Sequence, residues 1–182
     1  MIYGKKVRLR SLEQNDIGII AVWRNNALDD FFSPWPIAIS EQARWYERYV
    51  NSGRDRLFII ETQEKVADSP NMQWRPVGMI GLNDVNLHHQ TGEIGQVLIG
   101  DKKDRKKGFM QDALNVMVAF AFREANINRL YVEVFADNQE AVTFYLAARF
   151  QEDGTHRQAI WKGGRFRDIK VLSLLREEYG RG

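Results

Sequence analysis

The chain has 182 residues, a formal net charge of +2 and no cysteine. This length suits one core, expected as a single domain over residues 1–182. The near-balanced charge gives no reason to expect nucleic-acid or membrane-surface binding, and the absence of cysteine excludes a disulfide framework, a thiolate nucleophile and Cys-ligated zinc.

Residues 6–10 alternate basic and apolar side chains and predict a first strand. Residues 13–24 predict a helix with Ile17, Ile20 and Ala21 inward. Residues 25–39 form a Pro-bearing aromatic loop containing Phe31, Phe32, Pro34, Trp35 and Pro36. Ser40 predicts the N-cap of a helix running to Val50. Residues 57–61 predict a strand, whereas 62–75, polar and carrying Pro70, predict a long hairpin loop or insertion. Residues 77–85 and 93–99 predict paired strands joined through His88, His89 and Gln90. These adjacent histidines read as surface residues, and no metal is assigned. Residues 109–125 predict a long helix, 130–135 a strand, and 139–148 a short helix with Val142, Tyr145 and Leu146 on one side. Residues 157–161 and 166–174 flank Gly163-Gly164, a hairpin signal. Together these elements predict an α+β (mixed α/β) fold, a mixed sheet covered on both faces. No apolar run approaches a membrane span. The start, MIYGKKVRLR, lacks the apolar segment of a signal peptide, so the cytoplasm is the expected compartment.

Residues 92–110, GEIGQVLIGDKKDRKKGFM, carry the strongest functional signal. An apolar strand leads into a basic loop, and a helical pattern begins beyond Gly108: Met110, Ala113, Leu114, Met117, Val118, Ala121. The first backbone N–H groups of a helix have no intrahelical partner, and the helix dipole adds positive potential there. Arg105, Lys106 and Lys107 bring whole charges to the same place. The pattern suits a phosphorylated ligand, although neither the dinucleotide fingerprint nor the P-loop is present.

Arg105-Lys106-Lys107-Gly108-Phe109-Met110 resembles the pyrophosphate loop of the GNAT superfamily of acyl-CoA-dependent N-acetyltransferases. Asn138, Ala141, Tyr145 and Phe150 resemble that family's second pattern, Asn-x-x-Ala-x-x-x-Tyr-x-x-x-Gly-Phe. The stretches at 152–154, 164–168 and 174–179 resemble the branch containing ribosomal-protein N-terminal acetyltransferases and spermidine acetyltransferases. The chain departs from the family pattern at Met110, in place of Gly or Ala, and at Arg149, in place of Gly.

This resemblance implies a mostly antiparallel mixed sheet of about seven strands. It would splay between the strand ending at Ile99 and the one beginning at Leu130, with helices on both faces. Acetyl-CoA would be the co-substrate. Its pyrophosphate would lie on Arg105, Lys106, Lys107, Gly108, Phe109 and Met110, and its arm on Val97, Leu98, Ile99 and Asn138. The reaction implied is acetyl transfer to a primary amine by direct attack in a ternary complex. Tyr145 matches the family's acid position.

A base must take the amine's proton. Glu93, at the start of its strand, is one candidate, or else a solvated strand-end carboxylate. Glu133, in an otherwise apolar strand, and Asp84 are the others. The resemblance places the acceptor pocket at the first two helices and their loop, where Asp30, Phe31, Phe32 and Trp35 fall. Two acids among aromatics suit a cationic amine, but a polyamine site should be richer in acids. The expectation is therefore a ribosomal-protein-acetyltransferase-like enzyme acting on a peptide N-terminus, with a polyamine, amino sugar or amino acid as the alternative acceptor. A catalytically silent acyl-CoA sensor, favoured only by Met110 and Arg149, is the other class of function. The hairpin edge bearing Trp161 and Phe166 offers a surface through which two copies could pair.

Overall fold

A computed structural model of the chain describes residues 1–53, 55–67 and 69–180. Its strands are β1 (Ile2–Tyr3), β2 (Val7–Ser11), β3 (Arg56–Lys65), β4 (Met72–Asn86), β5 (Thr91–Ile99), β6 (Arg129–Phe135), β7 (Gln151–Lys162) and β8 (Arg165–Leu175). Its α-helices are α1 (Ile17–Asn26), α2 (Ile39–Ser52), α3 (Phe109–Arg123), α4 (Gln139–Ala147) and α5 (Arg176–Tyr179).

The described strands make one eight-stranded sheet in the order β1-β2-β3-β4-β5-β6-β8-β7. Every pairing is antiparallel except β5 with β6. Side chains alternate across β3, and both faces are covered. Phe58 and Ile60 join the core under α3 and α4, with Leu114, Met117, Val118 and Val142. Leu57 and Ile59 join a second core with Ile20 and Trp23 of α1, against which Trp45, Tyr46 and Tyr49 of α2 pack. An apolar run of this kind, buried on both sides, is what a strand between two helical layers requires.

Several elements differ from their sequence reading. The 62–75 segment is mainly a continuation of the ladder: Thr62 pairs with Arg75, Gln63 with Trp74, Glu64 with Gln73 and Lys65 with Met72. Side-chain packing favours strand over loop here. The Trp74 ring sits edge-on to Tyr3 at 6.2 Å, and the Arg8 guanidinium lies 4.3 Å over it. Pro76 is accommodated where the β3–β4 register shifts, a position at which a missing N–H is tolerated. Helix α2 begins at Ile39, one residue before Ser40, because Glu41 Oε2 accepts from the Ala38 N–H at 2.9 Å and fixes the cap there. Leu146 is exposed rather than packed beside Val142 and Tyr145, since α4 ends at the next residue and the chain turns away.

Arg149 makes that turn with φ of 72°. Its N–H donates to the Leu146 carbonyl and that of Phe150 to the Tyr145 carbonyl, both at 3.0 Å, so the left-handed turn expected of glycine is built by an arginine. Gly163 and Gly164, at φ of 61° and 77°, close the β7–β8 hairpin as a pair of positive-φ residues should.

Candidate active site

Strands β5 and β6 pair only at Thr91–Arg129, Gly92–Leu130 and Glu93–Tyr131. Beyond Glu93 they separate, while β6 stays paired with β8 on its other edge along its whole length. The second edge of β5 is thereby left open. A cavity of about 880 Å³ fills the splay, lined by β5, the start of α3, β6 and α4, with Asp30, Phe31 and Phe32 at one side.

The open edge has a built-in irregularity. Between Gly81 and Met79, β4 advances two residues, while β5 advances three, from Gly95 to Leu98. Gln96, at φ of 53°, is part of this bulge. Gly95 beside it leaves room for Asn83, whose Nδ2 would stand 2.4 Å from a Cβ there and would have to shift. Sequence reasoning passed over this bulge, for which an isolated glycine in a strand is the available signal.

The loop before α3 has two left-handed residues, Lys106 at φ of 60° and Gly108 at 81°. The Asp112 N–H bonds to the Gly108 carbonyl at 3.1 Å, closing the first turn of α3. The N–H groups of Phe109, Met110 and Gln111 therefore precede the intrahelical ladder. Arg105, Lys106, Gly108, Phe109 and Met110 line the cavity, as do Val97, Leu98, Ile99 and Asn138. The methionine at 110 takes its place in this lining without closing the site.

Lys107 is placed differently from the sequence expectation. It does not line the cavity, because its ammonium pairs with Asp104 Oδ1 at 3.0 Å. The Asp104 carboxylate is fully buried and also accepts from Arg75 Nη1 and Nη2 at 2.7 and 2.8 Å. The Arg75 guanidinium above all, with Lys107, holds its pKa down at about 2 despite burial. A different lysine approaches instead: Lys6 Nζ donates to the Lys107 carbonyl at 2.9 Å, next to Gly108. Asp112, in the first turn of α3, accepts from the Lys6 and Val7 N–H groups at 2.6 and 3.0 Å. Asp104, Arg75, Lys6 and Asp112 were not found from sequence. They lie far apart along the chain and converge only when β2 and β4 come under the loop.

Glu93, Glu133 and Tyr145 all line the same cavity. The Glu93 carboxyl is pushed up to about 7, first by burial and then by the negative charges of Glu133, Asp84 and Asp55. Tyr145 is buried on α4, edge-on to Phe144 and Phe150 at 5.1 and 5.5 Å. Burial, with a smaller contribution from Glu93, pushes its phenol well above the ordinary tyrosine value. Asn138 lines the cavity and caps α4, its Oδ1 accepting from the Ala141 N–H at 3.1 Å. Asp84 lies outside the lining and accepts from Tyr131 Oη at 3.2 Å.

Asp30, Phe31 and Phe32 reach the cavity, and the Phe32 ring meets Phe135 edge-on at 5.0 Å. Trp35 does not: it is 74% exposed and outside the cavity lining. Trp23 is core, with the Gly100 backbone so close that a Cβ there would stand 2.2 Å from the indole. No helix among the described residues is long and apolar enough to cross a membrane.

A splayed sheet, an open strand edge and a basic helix N-terminus facing one cavity are the features of a protein that holds a phosphorylated acyl carrier. The Acetyltransferase (GNAT) domain family matches residues 6–151, and the chain belongs to it. It is similar over 178 residues, at 25% identity, to the spermidine N(1)-acetyltransferase of Vibrio cholerae, covering 97% of this chain and 96% of the relative. It is also 26% identical over 102 residues to a putative ribosomal N-acetyltransferase, YdaF, of Bacillus subtilis, covering 56% and 55% of the two chains. The crystal structure of spermidine N-acetyltransferase from Vibrio cholerae in complex with CoA and spermine superposes with a TM-score of 0.83 at 24% identity, over 96% of this chain and 98% of that one. A dodecameric structure of the same Vibrio enzyme superposes at 0.78, with 24% identity over 96% of each chain. The protein is an acetyl-CoA-dependent N-acetyltransferase.

Proposed function

We propose that the acceptor is a small amine carrying more than one positive charge, acetylated by direct attack in a ternary complex. The observation that carries this reading is the unbalanced negative field at the end of the splay. Glu133, Asp84 and Asp55 all act on Glu93, and their combined charge helps keep its carboxyl near neutrality. A polycation would relieve that field where one lone ammonium would leave most of it. The relatives named for spermidine acetylation point the same way.

The residues fit acetyl-CoA. Arg105, Lys106 and the N–H groups at the start of α3 would hold the pyrophosphate. The free edge of β5 at Val97, Leu98 and Ile99 would pair with the amides of the arm, and the Asn138 side chain would assist. Once bound, the thioester supplies the acetyl group. Glu93 is the base that frees the attacking amine, since a carboxyl poised near 7 is matched to that task. Glu133 orients the incoming cation. Tyr145 holds its proton at neutral pH and is the group that donates it to the departing sulfur. Asp30, Phe31 and Phe32 form the acceptor wall.

The reaction belongs in the cytoplasm, where a chain without cysteine needs no disulfide. Self-association fits the hairpin, on which Trp161 and Phe166 meet edge-on at 4.9 Å while remaining 55% and 58% exposed. The test is thiol release from acetyl-CoA against spermidine, amino sugars, amino acids and short peptides with varied N-termini. Turnover with spermidine alone supports the reading. Turnover with peptides alone replaces it with the protein N-terminus as acceptor. Calorimetric binding of acetyl-CoA without turnover on any amine favours a sensor.

A further inference from the structure

Lys162, the last residue of β7, is 7% exposed. Among the described residues its ammonium pairs with no carboxylate. Instead it donates to three main-chain carbonyls more than a hundred residues earlier, those of Leu28, Phe31 and Ser33, the last at 3.0 Å. A lysine ammonium has three protons to give, and each finds an acceptor here. Burying a cation against neutral carbonyls is costly, so the arrangement suggests a role beyond filling space.

That role is apparent from what the three carbonyls belong to. Residues 28–33 are the first part of the connection from α1 to α2 and carry Asp30, Phe31 and Phe32, the acceptor-side lining of the cavity. On its side-chain face the loop is held by Phe31, which packs against the second core with the Arg24 guanidinium 5.1 Å over its ring; its backbone has less. Its internal bonds are short-range: the Asp30 N–H to the Ala27 carbonyl at 3.0 Å and the Phe31 N–H to the Leu28 carbonyl at 3.3 Å. A second contact from the same hairpin acts in parallel. Arg167 of β8 lies 3.4 Å over the Phe135 ring, whose edge meets Phe32. The end of the β7–β8 hairpin thus grips the loop through a cation on its backbone and an aromatic ring on its side chains.

We propose that Lys162 is a positioning residue that fixes the 28–33 loop as the wall of the acceptor site, so that the β7–β8 hairpin sets affinity for the amine. The proposal rests on the reading that Asp30, Phe31 and Phe32 receive the acceptor. It predicts separable effects, because the loop borders the amine end of the cavity and the phosphate loop at α3 is braced independently by Asp104, Arg75 and Lys6.

The experiment compares full-length wild type with Lys162→Met and Lys162→Arg, with spermidine as the amine probe, calorimetry for acetyl-CoA, and hydrogen exchange resolved over residues 28–33. Lys162→Met removes the donor to three partly buried carbonyls and frees the loop, so KM for spermidine should rise about tenfold or more. kcat and the acetyl-CoA Kd should stay within about twofold. Exchange at 28–33 should quicken while the sheet is unchanged, and Lys162→Arg, which keeps the cation, should recover most of the loss. An unchanged KM together with unchanged exchange would overturn the proposal. So would a parallel loss of acetyl-CoA affinity and sheet protection, which would mean a merely structural role. If Lys162→Met does not fold, wild-type exchange decides: 28–33 should open in step with residues 160–165, and independent opening refutes the clamp. Wild-type silence toward spermidine counts against the acceptor reading alone, and exchange at 28–33 then still tests whether Lys162 holds the loop.

Discussion

Arg75 and Asp104 form a buried two-pronged pair, guanidinium to carboxylate at 2.7 and 2.8 Å, beneath the loop that carries Arg105, Lys106 and Gly108. Asp104 itself lines the cavity, so Arg75 and Lys107 neutralise its charge beside the place where a phosphate would lie, while the pair braces the loop backbone. Lys107 is recruited to the same carboxylate and turns away from the cavity.

Asp104→Asn should therefore weaken acetyl-CoA binding even though Asp104 is negative and would repel a phosphate. Arg75 keeps its ion pair with Glu64 at 2.9 Å, so the substitution should cost about 1–3 kcal/mol in stability rather than the larger cost of a stranded buried charge. Calorimetric Kd and chemical denaturation measure the two effects. The pH dependence has a definite sign. Asp104 has its folded pKa lowered from 3.8 to about 2, so its stabilisation is present above 3.8 and is lost as pH falls toward 2. A variant that binds acetyl-CoA more tightly would show that charge, not loop geometry, dominates.

Glu93 yields a prediction of opposite sign. Its folded pKa is raised from 4.5 to about 7, so ionisation costs the folded state more than the unfolded. That stability is fully present below 4.5 and is lost as pH rises through 7. Glu93→Gln should be more stable than wild type at pH 8 by about 1–2 kcal/mol, allowing for solvent screening, and equal to it near pH 4. If Glu93 is the base, the wild-type rate should rise through a limb near 7, and the substitution should lower it by about 10²–10⁴-fold and remove that limb. Denaturation at two pH values and a pH–rate profile separate the roles. A stability gain without rate loss would leave Glu133 or a water as the base.

Much of this site was legible from local pattern. The strand, Gly108 and the helix behind it are contiguous, so the loop at 105–110 could be read directly from the sequence. Asn138 and Tyr145 lie seven residues apart on one helical unit and were equally visible. What escaped is what depends on convergence. Nothing in the sequence around Lys6 or Arg75 says that it will come beneath residue 107 or 104, and Lys162 shows no local mark of its carbonyl partners. Lys107 was assigned to phosphate because three consecutive cations look equivalent until a buried acid claims one of them. Trp35 is placed in the pocket by the resemblance, which gives a whole loop and not the facing of each side chain in it; the ring is in fact exposed and outside the cavity lining. The 62–75 ladder shows no strand signal in the sequence because the polar residues at this end of the β3–β4 hairpin carry no apolar alternation.

Two glycines offer a controlled comparison. Gly108 and Gly163 have φ of 81° and 61°, and a Cβ at either adopts a disfavoured left-handed backbone. At Gly163 it would meet nothing within 4 Å, and at Gly108 only the flexible end of Lys6, at 2.9 Å. Alanine at each should thus cost a similar roughly 1–2 kcal/mol of stability from backbone strain. Only Gly108→Ala should weaken acetyl-CoA binding, because only that backbone is aimed at the cavity. Equal affinities in the two variants would remove the phosphate-loop assignment.

Tyr145 tests whether the buried phenol is chemical or merely packed. Its ring contacts Phe144 and Phe150 edge-on, contacts that phenylalanine would keep. Tyr145→Phe should hold stability within about 1 kcal/mol, since only one hydroxyl is lost. The acetyl-CoA Kd should hold as well, because Arg105, Lys106 and the α3 N-terminus are untouched. Acetyl transfer should fall by about 10²-fold or more if the phenol delivers a proton in the rate-limiting step. The raised pKa sharpens the test. A phenol held well above its ordinary value stays protonated across the working range, so Tyr145 adds no falling limb to the profile near neutrality, and a rate loss should be uniform with pH. A loss confined to high pH would point to another acid, and an unchanged rate at every pH would leave Tyr145 as a wall of the cavity.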